Sequence, residues 1–236
     1  MRTLFGFCLF IVFSWSVLGE EVAVVSFVQG VNYAKSDRFK TGRETLKLGS
    51  ILEKGDTIVS EEGSCEIQLA THATIRTNKY TEIKIDRLLD NSQTALELVS
   101  GKLFVKAHKE DGERRQLNIA TPSYVAGVRG TEFLVATPNS DGEDDEIKLD
   151  TGVYVNEGSV GVTPNGSKNE VVVSENEEIV SKGNKLKKQI LNEFAKEKMK
   201  IFAEFNQLKK ENYERYKEQR RKNSEILNQF KSQETD

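Results

Sequence analysis

The sequence predicts a mainly β domain, either solenoid-like or sandwich-like, followed by a long C-terminal helix. One observation is that every glycine and proline lies at or before Gly183, so residues 184–236 contain neither. The other is that residues 21–181 contain many short runs in which apolar and polar residues alternate, with glycines between the runs. Alternation buries one face of a strand and leaves the other in water, whereas glycines mark turns. The irregular glycine spacing leaves solenoid and sandwich open.

The first 19 residues have the pattern of a secretory signal peptide. Arg2 supplies a positive start, residues 4–18 are mostly apolar, and Val17-Leu18-Gly19 suits a cleavage site. The apolar run is short for a membrane span, which needs about 20 residues. We therefore expect cleavage and export, and an uncleaved membrane anchor is the alternative. Cleavage would leave Cys65, in an alternating run, as the remaining cysteine and a core residue.

The strands of the body, residues 21–181, are predicted from pairs of apolar residues two positions apart. Three of these strands follow a turn glycine, at Gly101, Gly152 and Gly158, which makes a weak internal repeat. The pairs are Ile67/Leu69, Ile83/Ile85, Leu96/Leu98, Leu103/Val105, Leu117/Ile119, Phe133/Val135, Ile147/Leu149, Val153/Val155, Val160/Val162 and Val171/Val173.

Residues 184–231 predict an amphipathic helix, with Asn184 as its N-cap and residues 232–236 as a disordered end. Its apolar residues recur at steps of three, four or seven, as at Leu186, Ile190 and Phe194. A helix of this length is about 70 Å long. Two arrangements are open: packing on the body, or self-association as a coiled coil. Residues 184–236 carry 14 Lys+Arg and 9 Asp+Glu, whereas residues 20–183 carry 19 and 28, so a basic tail follows an acidic body.

Residues 121–135 are the most specific segment, because a Thr-Pro start and two glycines interrupt an apolar run and predict a turn feeding a strand. Gly127 and Gly130 permit backbone conformations denied to other residues, and Thr131 is expected to bond within its own turn. Arg129 and Glu132 are a candidate ion pair. The residues assigned to this motif are Thr121, Pro122, Gly127, Val128, Arg129, Gly130, Thr131, Glu132 and Phe133, with Gly55 and Asp56 from an earlier turn. Tyr124 and Arg129 are the candidate partner contacts, since guanidinium groups recognise carboxylates.

The run Val128-Arg129-Gly130-Thr131-Glu132-Phe133 resembles the signature of the FecR domain, an extracytoplasmic sensor module of bacteria. Flanking pieces, such as Gly55-Asp56 and Thr121-Pro122, extend the resemblance over roughly residues 22–179. The resemblance implies an all-β, solenoid-like periplasmic domain. In the name-giving proteins this domain relays a signal from an outer-membrane transporter to a cytoplasmic anti-sigma segment. Because the present sequence starts with its export signal, we expect no cytoplasmic anti-sigma segment. We also expect no internal membrane span and no transporter-contacting domain after the β body.

The sequence contains no pattern that predicts catalysis, a metal site or a cofactor. His72 and His108 lie in separate runs without a nucleophile motif, and no Cys/His spacing suits zinc. The acidic stretch 141–146 does not have the spacing of an EF-hand loop.

We therefore expect an exported, non-enzymatic protein of the periplasm or cell envelope that binds or scaffolds a partner protein or surface polymer, or relays a signal. Nucleic acid is not an expected partner, and no membrane span is expected after cleavage. One alternative is a carbohydrate- or ligand-modifying β-solenoid enzyme, which would need Asp141, Asp144 and Asp145 on an exposed face. The other is an envelope protein anchored by its uncleaved N-terminus.

Overall fold

The computed structural model describes residues 23–69, 73–90, 93–108, 116–128, 130–139, 148–182, 185–200, 218 and 221–222. This part of the chain forms eighteen strands and a short helix near the C-terminus, so the predicted mainly β class is confirmed. The predicted signal peptide, residues 1–19, and the end at residues 232–236 lie outside the described residues.

The strands are short and follow one another closely along the chain. In chain order they are β1 (Ala23–Gln29), β2 (Asn32–Lys35), β3 (Arg43–Thr45), β4 (Ile51–Leu52), β5 (Thr57–Ser60), β6 (Ser64–Leu69), β7 (Ala73–Thr77), β8 (Thr81–Asp90), β9 (Gln93–Ser100), β10 (Lys102–Ala107), β11 (Gln116–Ala120), β12 (Tyr124–Val128), β13 (Glu132–Ala136), β14 (Gly152–Glu157), β15 (Ser159–Pro164), β16 (Val171–Ser174), β17 (Glu177–Lys182) and β18 (Lys185–Ile190). The helix α1 spans Glu193–Met199.

These strands form two open sheets of nine strands each. Sheet 1 has the order β18-β17-β14-β13-β10-β7-β6-β1-β4, and sheet 2 has the order β16-β15-β12-β11-β9-β8-β5-β2-β3. Neighbouring strands are antiparallel except β9 and β11, which run parallel. The chain repeatedly places one or two strands in one sheet and then crosses to the other. The architecture is therefore two packed sheets joined by a chain that passes back and forth between them.

One hydrophobic core lies between the sheets, and the predicted alternation supplies it. Ile67, Ile75 and Val105 of sheet 1 are buried, as are Ile83 and Leu98 of sheet 2. Burying one such side chain contributes about 1.5–3 kcal/mol, so the inner faces are the main source of stability. Cys65 is also fully buried, as predicted, and burial raises the pKa of its thiol.

The outer face of sheet 1 carries a second apolar cluster, which the start of the tail covers. Ala195 and Met199 of α1 are buried with Leu191 above this face. The cluster on the sheet comprises Phe104, Leu134, Ala136, Tyr154 and Val180. The described part of the tail therefore packs on the β body. Most of the tail, residues 201–217 and 223–231, lies outside the described residues, so self-association stays a prediction.

The predicted beginning of the helix is wrong. Residues 185–190 form β18, and α1 begins after Asn192, whose side chain accepts a hydrogen bond from Ala195 N at 2.8 Å. Asn184, the predicted N-cap, lies outside the described residues. Leu186 and Ile190 are four residues apart, a spacing that one face of a helix and one face of a strand both permit. The strand is favoured because all six of its residues pair with β17 and Leu186 packs against the core.

The carboxylate of Glu178, on β17, fixes the place where α1 begins. Its side chain is almost fully buried and accepts hydrogen bonds from Gln189 Nε2 at 2.6 Å and from Asn192 Nδ2 at 3.2 Å. The residue that caps the helix is therefore bonded to the sheet beneath it. Among the residues that the structure describes, no helix has the length and apolar character needed to cross a membrane.

Candidate functional site

The segment singled out in the sequence, residues 121–133, joins the two sheets. It begins with the turn between β11 and β12, follows β12 through sheet 2, and then turns a corner into β13 of sheet 1. Each of its described side chains consequently has a defined position between or on the two sheets.

Thr121 closes the turn at the start of the segment. Its hydroxyl donates to Tyr124 O at 2.8 Å and accepts from Tyr124 N at 3.0 Å. Asn165, from the turn after β15, donates its side-chain amide to Thr121 O at 3.0 Å and to Pro122 O at 2.9 Å. The Thr-Pro turn is therefore held both by its own hydroxyl and by a second turn 44 residues later in the chain.

Tyr124 was predicted to contact a partner, and this prediction is wrong. The side chain is fully buried, and its hydroxyl donates to Gly152 O at 2.7 Å and to Ala136 O at 3.2 Å. Because β12 belongs to sheet 2 and both acceptors belong to sheet 1, the phenol links the sheets through the core. Burial raises its pKa, so it remains a neutral donor. The two-residue spacing of Tyr124, Ala126 and Val128 was the signal that Tyr124 faces inward.

Gly127 and Gly130 have different structural reasons to be glycine. Gly130 has a φ of 62°, in the left-handed region that other residues avoid. Gly127 lies in the middle of β12, opposite Asn118, and an added Cβ would stand 3.2 Å from Asn118 Oδ1. Val128 and Phe133, on either side of the corner, are core residues. Arg129 lies outside the described residues, as does its candidate ion pair and its candidate partner contact.

Thr131 bonds to a neighbouring corner of the chain. Its hydroxyl donates to Ser159 O at 2.9 Å, where the chain crosses from β14 to β15. Gly158, just before Ser159, has a φ of 84°, and an added Cβ would stand 2.9 Å from Gly130 O. The two crossings therefore touch backbone to backbone, and glycine permits this approach.

The same arrangement recurs at two other places, and we call it a corner clasp. In each corner clasp, a side chain at one crossing donates to the carbonyl of the residue after a glycine at the other crossing. Thr81 Oγ1 donates to Lys102 O at 3.1 Å beside Gly101, and Asn32 Nδ2 donates to Ser64 O at 3.3 Å beside Gly63. A Cβ added to Gly101 or to Gly63 would come within 2.5 Å of an atom of the facing corner.

Glu132 bridges sheet 1 on its outer side. Lys106 Nζ lies 2.6 Å from Glu132 Oε1, and Asn156 Nδ2 donates to Oε2 at 3.1 Å. These three residues lie on adjacent strands β10, β13 and β14, so the motif carboxylate ties three strands together.

Gly55 and Asp56 form a second fixed point, at the other end of the body. Gly55 has a φ of 93°, and the buried carboxylate of Asp56 accepts from Glu53 N at 3.0 Å. Arg38 holds the same carboxylate with two hydrogen bonds, at 3.0 and 2.5 Å, and donates to Ile51 O at 2.9 Å. Burial opposes ionisation of Asp56, but these hydrogen bonds, chiefly those from Arg38, outweigh it and lower the pKa. Sequence reasoning missed Arg38, although a buried acid requires a cationic partner.

The described residues contain no group of three His, Cys, Asp or Glu side chains placed to hold a metal ion. His108 lies at the exposed end of β10, with Nε2 3.5 Å from Thr74 Oγ1. His72 and the acidic stretch 141–146 lie outside the described residues. In the described residues, the side chains of the signature segment form hydrogen bonds and an ion pair that hold the body rigid.

We expect Gly158→Ala to destabilise the protein more than Gly166→Ala. Both glycines have a positive φ, but nothing lies within 4 Å of a Cβ at Gly166. Gly166→Ala should cost about 1 kcal/mol of backbone strain. Gly158→Ala should cost roughly 1–3 kcal/mol more, because the corners would have to separate. Urea unfolding of both variants measures the difference, and equal losses would contradict the close contact.

We also expect Arg38→Met to reduce stability in a pH-dependent way. The pKa of Asp56 is lowered in the folded state, so its contribution is present above the unfolded pKa of about 3.9 and is lost as the pH falls through the folded pKa. Arg38→Met should therefore cost about 2 kcal/mol at pH 7 and less at pH 3, where protonation of Asp56 has begun to remove the contribution. Urea unfolding at both pH values measures this loss in the free energy of unfolding.

Lys35→Met, which removes an exposed ion pair with Glu82, is the control and should cost less than about 1 kcal/mol. A loss for Arg38→Met that is independent of pH would contradict the assignment.

Comparison with known proteins supports the resemblance seen in the sequence. Residues 56–161 match the model of the family described as "FecR protein". Two crystal structures described as a "putative anti-sigma factor" from Parabacteroides distasonis are similar, each with 18% identity and coverage of 57% of this chain. Their TM-scores are 0.45 and 0.46, and the match spans 58% of the length of those chains. No curated protein matches this chain. The matched segment covers less than half of the chain, begins at Asp56, and contains the Thr-Pro turn and the signature corner, so residues 56–161 are similar to a FecR domain.

Proposed function

We propose that this protein is a non-enzymatic signalling module of the bacterial envelope, which acts by binding another protein. The observation that carries the proposal is the use of the described signature residues inside the fold. Thr121 accepts a hydrogen bond from the turn at Asn165, and Tyr124, Thr131 and Glu132 each bond to another strand or turn. A motif used in this way builds a rigid platform, and partner recognition then belongs to the surfaces and edges of that platform.

The envelope location rests on the sequence and on the family. Residues 1–19 have the signal-peptide pattern, and FecR domains are in general extracytoplasmic. We infer that the body works outside the cytoplasm and that its partner is an envelope protein or a surface polymer. Of these two we favour a protein, because the family is one of signalling proteins.

The tail contributes to this function in two parts. Its start, β18 and α1, belongs to the platform, because Leu186, Ala195 and Met199 pack against the body. We propose that the remainder carries the assembly role expected of a basic amphipathic segment, either by pairing with another tail or by contacting the acidic body. Residues 201–236 hold the basic cluster Arg215, Lys217, Arg220, Arg221 and Lys222.

The enzyme alternative and the membrane-anchor alternative both depend on residues beyond those described. Asp141, Asp144 and Asp145 are the carboxylates that the enzyme alternative needs, and residues 1–22 are those that an anchor needs. Among the described residues, Asp56 is a buried acid with a lowered pKa. It forms an ion pair with Arg38 that stabilises the fold. No described site favours either alternative over protein binding.

We expect a chain comprising residues 20–236 to capture a specific protein from envelope extract, and a chain ending at Lys200 to capture the same protein. The shorter chain keeps β18 and α1, which the structure joins to the body, whereas a cut at Gly183 would remove both. The measurement is chemical cross-linking followed by mass spectrometry, with an unrelated exported β protein as the control. Recovery of nothing beyond the control, or turnover of envelope polysaccharide by the purified chain, would contradict the proposal.

A further inference from the structure

The outer edge of β18 is an unpaired strand edge at the end of sheet 1. β18 pairs with β17 along all six residues, from Lys185 opposite Lys182 to Ile190 opposite Glu177. It occupies the last position in the order of sheet 1, so no described strand pairs with its other side. The free edge of a strand presents backbone donors and acceptors that another chain can use.

The hydrogen-bond pattern shows which backbone groups point outward. Just beyond β18, Leu191 N donates to Asn176 O at 2.8 Å. In an antiparallel pair, hydrogen-bonded positions alternate, so the groups of Gln189, Lys187 and Lys185 also point toward β17. The N–H and C=O groups of Leu186, Lys188 and Ile190 therefore point away from the sheet, along the free edge.

The other described sheet edges are shorter or partly occupied. β4 has two residues and β3 has three. β16 has four, and Lys188 Nζ donates to Val172 O on this strand at 2.8 Å. β18, with six residues, is thus the longest free edge that the described chain offers to an extended partner.

The side chains along β18 indicate the chemistry of that partner. Lys185 and Lys187 are exposed on one face, and within the described residues no ion pair engages either of them. At the end of the strand, Ile190 is 76% exposed and Phe194, four residues later, is 43% exposed. The edge therefore combines positive charge with an apolar end, which complements a segment that is acidic and apolar.

We propose that this edge binds an extended acidic segment of the partner protein as an added strand of sheet 1. Main-chain hydrogen bonds to Leu186, Lys188 and Ile190 supply the pairing, as in other strand-addition complexes. Carboxylates of the segment lie beside Lys185 and Lys187, and apolar residues lie beside Ile190. This inference rests on the proposed function, because it assigns the surface through which that protein partner is held.

A second copy of this chain fits the same edge less well. Antiparallel pairing of two β18 edges must bring their outward-pointing groups together. With Leu186 opposite a copy's Lys188, Lys187 faces the copy's Lys187, and with Leu186 opposite a copy's Ile190, Lys188 faces the copy's Lys188. Like charges that face each other across a strand pair are destabilising, and lysines on edge strands are a common means of preventing self-pairing. An acidic strand converts the same lysines into favourable contacts.

The direct test uses a fluorescent peptide of about eight alternating Glu and Val residues, a length typical of a strand. Fluorescence anisotropy with residues 20–236 should show binding, and the matching Lys-Val peptide should not bind. Lys185→Glu with Lys187→Glu should weaken binding by about tenfold or more. Lys47→Glu with Lys54→Glu makes the same change of charge near β4, at the other end of sheet 1, and should leave binding unchanged.

A second variant tests the strand geometry independently of charge. Ile190→Pro removes an N–H that points away from β17, so the bonds of sheet 1 remain while the free edge loses a donor. We expect an unchanged Tm and loss of peptide binding. Absence of binding by the unsubstituted chain, equal binding of the Glu-Val and Lys-Val peptides, or unaltered binding by either β18 variant would overturn the inference. So would sedimentation that shows a dimer of the unsubstituted chain which Ile190→Pro dissociates, because β18 would then be covered by a second copy.

The envelope cross-linking experiment separates this inference from the proposed function. If Ile190→Pro captures the envelope protein as well as the unsubstituted chain does, the edge assignment fails and the proposed function stands. If neither chain captures a protein beyond the control, the proposed function fails.

Discussion

The structure depends on the corners at which the chain crosses between its two sheets. At three places, a side chain of Asn32, Thr81 or Thr131 donates to a carbonyl of a facing corner. A glycine precedes that carbonyl each time, because a Cβ there would enter the facing backbone or side chain. Two large sheets without closed edges could slide or separate, and the corner clasps fix their relative position along the crossing side. The rest of the body is arranged around this constraint.

The signature segment extends the same function through the interior. Thr131 makes one corner clasp, and Tyr124, seven residues earlier, reaches across the core to two carbonyls of sheet 1. Inside a low-dielectric core, a satisfied polar contact of this kind specifies a unique arrangement of the elements that it joins. The FecR-like signature of this chain thus connects the two sheets. The free edge of β18, where we propose that a partner binds, lies outside these residues.

The period-2 pattern was sufficient to predict the class and most of the core. Ile67, Ile83, Leu98 and Val160, for example, are buried as alternation predicts. The pattern did not predict which sheet each strand joins, because that depends on contacts between residues far apart in the chain. The Ile147/Leu149 pair also misled: Leu149 lies outside any strand and packs against the apolar cluster beneath α1. Arg38 and Asp56 pair across 18 residues, and Tyr124 reaches Gly152 across 28, so neither contact has a local signal.

The N-cap was misplaced for a different reason. Apolar residues four apart fit a strand as well as a helix, and only the presence of β17 decides between them.

The central claim is that the corner clasps make the two sheets one cooperative unit, and Thr81→Val tests it most directly. The substitution preserves shape but removes the hydroxyl that donates to Lys102 O and accepts from Lys102 N at 3.0 Å. The measurement is urea unfolding followed by near- and far-ultraviolet circular dichroism, with Thr74→Val on the outer face of sheet 1 as the control. We expect a loss of about 1–3 kcal/mol for Thr81→Val, a smaller loss for the control, and coincident transitions by both probes in the unsubstituted protein. Equal stability of Thr81→Val and the unsubstituted protein, or separate unfolding of the two sheets in the latter, would contradict the account.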